Sequence, residues 1–302
     1  MRRDSAKLAT MKPTPEWDKE ALLQTASFSP LHHAISRLGK EAFPTLQDCN
    51  ALLAGQQPAI VVHSGLPLRF VPQEYGKLPF EAQYEPRCYL KGEVPTRANN
   101  WHDLLNALVW LAFPKAKAAI NLRHYRALTE EDNTQKHSQR GAVRDTNTLL
   151  DESGVIVVCS DQELAGLVRG FQWKELFWHR RADVQSCMGF YLFGHGLYEK
   201  ALHPYVGMTG QGLILPVEQA FFSWPRARQL AHLDDLLADY LLAAEHCRST
   251  AELTPVPLLG VPGWTAENEN AAYYDNADYF RAGRARRAQA VPLNTAPSSV
   301  AG

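Results

Sequence analysis

The chain has 302 residues, 45% of them hydrophobic and 21% charged, the balance of a globular protein with a sizeable core. Its formal net charge of −1 supplies no global field toward nucleic acid or an acidic membrane surface. The longest wholly apolar stretches, such as Ala107 to Phe113, fall short of the roughly 18–20 residues needed to cross a bilayer, and no apolar run of a secretory signal follows Met1-Arg2-Arg3.

A soluble, cytoplasmic protein is therefore expected. The cysteines agree. Cys49, Cys88, Cys159, Cys187 and Cys247 are scattered and form no C-x-x-C pair, which argues against a disulfide framework or a thiolate zinc knuckle.

In chain order, residues 1–14 are polar and read as a flexible N-terminus, and 15–283 as a single globular domain. Helical patterns run from Pro15 to Leu53. Ala59–His63 and Leu66–Phe70 flank Ser64-Gly65 and predict a β-hairpin, with Pro67 on an edge strand. Recurrent prolines from Pro72 to Pro95 predict an extended, irregular segment. A helix then begins at Asn100, a good N-cap, with Asp103 at the third helical position. Phe113-Pro114 ends it and opens a second helix through about Arg126. Residues 127–146 read as a polar loop.

Leu149-Leu150 and Val155–Val158 bracket Asp151-Glu152-Ser153-Gly154, the chemistry of a tight turn, and predict a second hairpin. Helical stretches are expected at 161–170, 173–182 and 184–202. A loop entering a strand is expected at 207–215, and a long amphipathic helix at 225–247. The segment 254–264 is too rich in proline for helix or central strand. Residues 284–302 read as a disordered tail. The fold class is α+β, mainly helical, a single domain with small antiparallel β-hairpins; the alternation of a doubly wound sheet is missing.

The helix from Trp101 is the most informative stretch, because it places His102, Asp103 and Asn106 among large apolar residues. Buried polar groups need partners or a function. His102 and Asn106 share a helix face, while Asp103 is turned about 100° away. On the next helix Lys117, Asn121 and His124 share a face. If the two faces converge they form a polar ligand pocket in an apolar wall. In the plainer alternative, Asn100 and Asp103 cap the helix and the imidazoles bond to carbonyls. His195 and Glu199, at i and i+4, can hold one metal ion or form a His–carboxylate dyad, with Gly194 and Gly196 as costly mid-helix glycines. A plain hydrogen bond along the helix is the alternative there. Asp151 at a hairpin tip would supply a carboxylate to a metal site, unless Asp151–Gly154 is a turn and nothing more.

Asn-Trp-His-Asp-x-x-Asn-Ala-Leu-Val-Trp at 100–110, Phe113-Pro114-x-x-Lys117 and Asn121-x-x-His124 are similar to the signature of domain-of-unknown-function family 3025. So are Leu150–Gly154, Phe193-Gly194-His195 with Glu199-Lys200, Leu259–Trp264 and Phe280-Arg281. The likeness runs from about residue 25 to 285. It implies a soluble bacterial protein and transfers no catalytic residue.

Phosphate-loop, nucleophile-elbow, dinucleotide-fingerprint and H-E-x-x-H motifs are all missing from the sequence. The basic clusters Lys115, Lys117, Arg123, His124 and Arg126, then Arg169, Lys174, Arg180 and Arg181, then Arg281, Arg284, Arg286 and Arg287, with Trp173, Phe177 and Trp178, could line a nucleic-acid groove. The overall charge balance favours a solvated face instead.

Three readings stand. The first is a metal-assisted hydrolase of phosphoesters or amides. It draws catalytic groups from His102, Asp103, Asp151, His195 and Glu199, and metal ligands for Zn, Mn or Mg from His102, His124, His195 and Glu199. Asn106, Lys117 and Asn121 would contact the small molecule. The second is a non-catalytic small-molecule or anion-binding protein. The third is a structural or partner protein with a buried polar network. Neither a membrane nor a nucleic acid is an expected partner, and the sequence does not fix the oligomeric state.

Overall fold

The computed structural model describes residues 16–129 and 137–283. The expected flexible N-terminus at 1–14 and disordered tail at 284–302 lie outside those residues. The described chain is 56% helical and 13% strand, a mainly helical α+β domain with small sheets.

The N-terminal third is α1 (Lys19–Gln24), α2 (His32–Ser36) and α3 (Leu46–Ala54). The turn at Ser64-Gly65 forms as its sequence predicts. Gly65 adopts φ +86°, and Val62 and Leu68 donate to Leu66 and Ile60 carbonyls at 2.9 and 3.0 Å. The pairing is a bridge at Val61 and Pro67, not an extended hairpin. The chain continues into β1 (Arg69–Pro72), which pairs in parallel with β2 (Glu93–Thr96). Between them lies α4 (Tyr84–Lys91), where the prolines predicted irregular chain. Pro86 sits in the first turn of α4, where no intrahelical N–H is needed, and Gly92 closes the helix at φ +67°.

α5 (Trp101–Ala112) and α6 (Pro114–Thr129) form where expected. Asn100 caps α5 by accepting from the Asp103 amide at 3.0 Å. Leu105, Ala107, Leu108 and Val109 are fully buried, so α5 is surrounded by protein. Asp234 of α11 (Arg226–Leu242) caps α6, accepting from Lys115 and Ala116 amides at 3.1 and 2.9 Å.

The second predicted hairpin does not exist. α7 (His137–Ser153) covers Asp151–Ser153 and runs straight into β3 (Gly154–Cys159). It also occupies the second half of the expected 127–146 loop, of which 130–136 lie outside the described residues. No loop is needed because Gly154 lets the strand leave the helix end directly. A Cβ there would lie 2.3 Å from the Leu150 carbonyl oxygen.

After α8 (Gln162–Arg169), the helix expected over 184–202 is three elements: α9 (Arg181–Cys187), β4 (Met188–Leu192) and α10 (His195–Ala201). A short apolar run such as Met188–Leu192 fits either period, and pairing with β3 decides it. β5 (Thr209–Pro216) and β6 (Thr254–Pro257) complete a mixed sheet of order β4-β3-β5-β6, with β3 and β5 parallel and the outer pairs antiparallel. β3 is buried along its whole length, which explains its unbroken Val-Ile-Val-Val run. Pro255 and Pro257 sit on the edge strand β6, where a missing N–H is tolerated. No helix among the described residues is long and apolar enough to cross a membrane.

Candidate metal centre

Three helix ends meet beside the sheet: the start of α5, the end of α7 and the start of α10. Gly194 and Gly196 permit that meeting. Gly194 is the N-cap of α10, not a mid-helix residue. A Cβ there would fall 2.4 Å from the Ser153 amide nitrogen, and one on Gly196 2.5 Å from Glu152 Oε2. α10 therefore presses on the last turn of α7.

The side chains so gathered are His102, Glu152 and His195, whose ligand atoms all lie within 4.8 Å of one another. His102 Nε2 and His195 Nε2 are 3.0 Å apart. Glu152 Oε1 lies 3.7 Å from the first and 3.5 Å from the second. A point equidistant from the corners of this triangle is about 2.0 Å from each, the length of a Zn–N or Zn–O bond. The glutamate distances are too long for hydrogen bonds but suit the edges of a coordination polyhedron. Two imidazoles and one carboxylate match zinc or a similar transition metal better than magnesium or calcium.

The outer ring nitrogens point to carboxylates. His102 Nδ1 is 3.0 Å from Glu199 Oε2, and His195 Nδ1 is 3.7 Å from Asp151 Oδ2. Protons on both Nδ1 atoms would leave two bare Nε2 lone pairs facing each other at 3.0 Å, with a carboxylate oxygen alongside. In that tautomer the three atoms surround a place suited to a positive charge, whereas a proton on either Nε2 makes the 3.0 Å contact a hydrogen bond between the imidazoles. Burial pushes His195 down to about 4, so His195 does not supply that charge as an imidazolium at neutral pH.

Asp151 is held by Lys117, whose Nζ donates at 2.5 Å. Burial alone would raise the Asp151 carboxyl, but Lys117 and then His195 outweigh it and hold it below the ordinary range. The other sequence candidates lie around the pocket in different roles. Asp103 accepts from the Arg97 backbone amide at 2.6 Å and from its Nε and Nη2 at 2.9 and 2.7 Å, so it positions Arg97. Asn106 donates to the Tyr84 hydroxyl at 2.7 Å. Asn121 donates to Glu85, at 3.0 Å to the carbonyl and 2.6 Å to Oε2. These two amides fasten α4 to α5 and α6. His124 lines the pocket outside the three-atom triangle, and Glu199 stands behind His102.

Sequence reasoning left out Glu152, Glu85 and Arg97. Glu152 was visible only as part of a turn, and only the end of α7 turns it toward the imidazoles. The pocket has a volume of about 580 Å³ and is lined by His102, Glu152 and His195 together with Arg97, Arg144 and Glu85.

Several basic residues considered for a nucleic-acid groove are engaged within the domain. Lys117 is buried on Asp151, Lys174 pairs with Asp275 at 2.5 Å, and Arg123 donates to the His246 carbonyl at 2.8 Å beyond the end of α11.

The fold and site thus define a mainly helical α+β domain with a polar pocket at the meeting of three helix ends. The chain belongs to the family of proteins of unknown function DUF3025, whose model matches residues 68–284. The match takes in every side chain of the triangle. It begins well after residue 25, so α1 to α3 lie outside it. No curated protein and no solved structure matches the chain.

Proposed function

We propose that this protein is a metal-assisted hydrolase, with His102, Glu152 and His195 as ligands of one divalent ion, zinc by bond length and donor type. The observation that carries this reading is the triangle itself: two Nε2 atoms and one carboxylate oxygen equidistant from a point at metal-bond range. His102 and Glu152 are 30% and 42% exposed at the side chain, so the pocket side of the triangle is open for a water and a substrate. A metal there supplies Lewis acidity toward that water or the substrate. Glu199 orients the His102 imidazole through its Nδ1, the usual outer support of a histidine ligand, while Asp151 lies 3.7 Å from His195 Nδ1.

The test is elemental analysis of the purified chain after zinc loading and removal of loose metal. It is paired with hydrolysis of p-nitrophenyl phosphate, bis-p-nitrophenyl phosphate and p-nitrophenyl acetate. One zinc per chain, lost in His195→Ala and Glu152→Gln, with chelator-sensitive turnover of at least one ester, supports the reading. Sub-stoichiometric zinc that these substitutions leave unchanged sinks it.

A second reading, a purely structural polar network, draws on the amides of Asn106 and Asn121, which spend themselves on α4. It leaves the 3.5 and 3.7 Å spacings of Glu152 unexplained.

A further inference from the structure

Arg97 and Arg144 line the same pocket as the triangle. Asp103 grips Arg97 through its backbone amide, Nε and Nη2, which fixes the guanidinium plane and leaves the Nη1 end of the fork uncommitted to Asp103. Tyr75 and His102 line the same pocket as Arg97, and the charge of Glu199 behind His102 reaches its guanidinium. Arg144 is 58% exposed at the side chain and meets Asp145 only at 4.0 Å.

The charges in the wall can be matched one against another. Among the lining acids, Asp103 is neutralised by Arg97 and Asp151 by Lys117. Glu152 faces the imidazoles, and the Glu85 carboxyl, raised by burial, accepts from Asn121. A divalent ion in the triangle would add its charge to that of Arg144, which lines the same pocket and lies 4.0 Å from Asp145. The mouth adds an aromatic surface. Tyr75 is 79% exposed, beside Gly76 at φ +103°, and Tyr84 lies further in. A ring left this open on a pocket rim is a stacking surface for a planar group.

We propose that the pocket takes a phosphate ester, its phosphoryl group between the His102–Glu152–His195 centre and the Arg97–Arg144 pair, with its organic remainder against Tyr75. This rests on the hydrolase reading and narrows its substrate class from esters and amides to phosphoesters. A phosphoryl group, with several charged oxygens, can meet a metal, the Arg144 fork and the Nη1 end of Arg97 at once, whereas a carboxylate spreads a single charge over two oxygens.

The experiment is calorimetric titration of the full chain with inorganic phosphate, phenyl phosphate and benzoate, in zinc-loaded and chelator-treated forms. Zinc content is measured on the same samples. Phenyl phosphate is expected to bind most tightly and benzoate most weakly. Arg144→Gln, a change at an exposed side chain, weakens both phosphates about tenfold, the loss of one charge-assisted contact. Arg97→Lys keeps the charge opposite Asp103 but loses the fork, and weakens them similarly. Tyr75→Ala removes the advantage of phenyl phosphate, about two- to tenfold, and leaves inorganic phosphate unchanged.

Benzoate binding as tightly as phenyl phosphate, or phosphate affinities untouched by both arginine changes, overturns the proposal. Stoichiometric zinc without phosphate binding sinks this proposal and spares the metal reading. Arginine-dependent phosphate binding without zinc sinks the metal reading, and with it the placement of the phosphoryl group at the triangle.

Discussion

His102 and His195 are 93 residues apart in sequence, yet their Nε2 atoms lie 3.0 Å apart. One sits in the first turn of α5 and the other opens α10, and each turns its Nδ1 toward a carboxylate. Glu152 Oε1 lies 3.7 and 3.5 Å from the two inner nitrogens and makes the third corner of the triangle.

Glu199 is expected to act on the metal only through His102. Glu199→Gln keeps an acceptor for Nδ1–H but removes its charge. Zinc affinity should fall about 10–100-fold, as for other second-sphere partners of histidine ligands, while one-to-one stoichiometry persists at high zinc. Competition against a chromogenic chelator reads this. Complete loss of stoichiometric binding would make Glu199 a ligand instead.

The two glycines of α10 should separate stability from metal binding. In Gly194→Ala the new Cβ meets the backbone nitrogen of Ser153 at 2.4 Å, so helix ends must move, at a cost of about 1–3 kcal/mol in urea unfolding. In Gly196→Ala the nearest atom is the end of the Glu152 side chain at 2.5 Å. That side chain can swing away at lower cost in stability, but it carries Oε1 out of the triangle, so zinc affinity falls further than in Gly194→Ala. Equal effects of the two on both measurements would contradict the packing described.

Lys117 and Asp151 form a nearly sealed ion pair, with side chains 4% and 16% exposed. Lys117→Met leaves a buried carboxylate uncompensated and should cost about 3–5 kcal/mol. Adding Asp151→Leu removes the orphaned charge, so the double variant should be less destabilised than the sum of the singles. A double-mutant cycle in chemical denaturation measures the coupling. Additive effects would mean that the pair is not buried as described.

The carboxyl of Asp234, 4% exposed, is pushed up to about 6 by burial against its ordinary 3.8, although two backbone amides and Lys115 pull it down. The folded state therefore holds a proton that the unfolded chain releases as pH rises from about 4 to about 6. Stability contributed by this group is full below about 4, falls through that window and is level above it, a change on the order of 3 kcal/mol. Asp234→Asn cannot titrate and should lose that slope, at the expense of one amide contact at the start of α6. Unfolding free energies from pH 4 to 8 for both proteins test it. Parallel curves would show that Asp234 does not titrate there.

Local chemistry made much of the fold legible. Asn100 as cap, Pro114 opening α6, Gly65 in its turn and the prolines of the β6 edge each act through their own backbone geometry, so a single sequence suffices to read them. The misreadings share a different cause. Asp151–Gly154 has the composition of a turn and Met188–Leu192 fits two periodicities. In both places the outcome hangs on partners far along the chain: α10 against the end of α7, and β3 beside β4.

The same division runs through the site. The sequence by itself determined that Asn106, Lys117, Asn121 and His195 would be polar groups in an apolar setting, because helical periodicity and neighbouring large side chains enforce their burial. Only the tertiary structure decided which of them would meet. It turned Asp103 to Arg97, spent Asn106 and Asn121 on α4, placed Glu199 behind His102, and brought in Glu152. The reason is physical. Periodicity fixes the direction of a side chain relative to its own helix, whereas the 3.0 Å approach of two imidazoles with Glu152 beside them depends on the relative placement of three helices. That placement is set by close approaches at Gly154, Gly194 and Gly196 which no local pattern encodes.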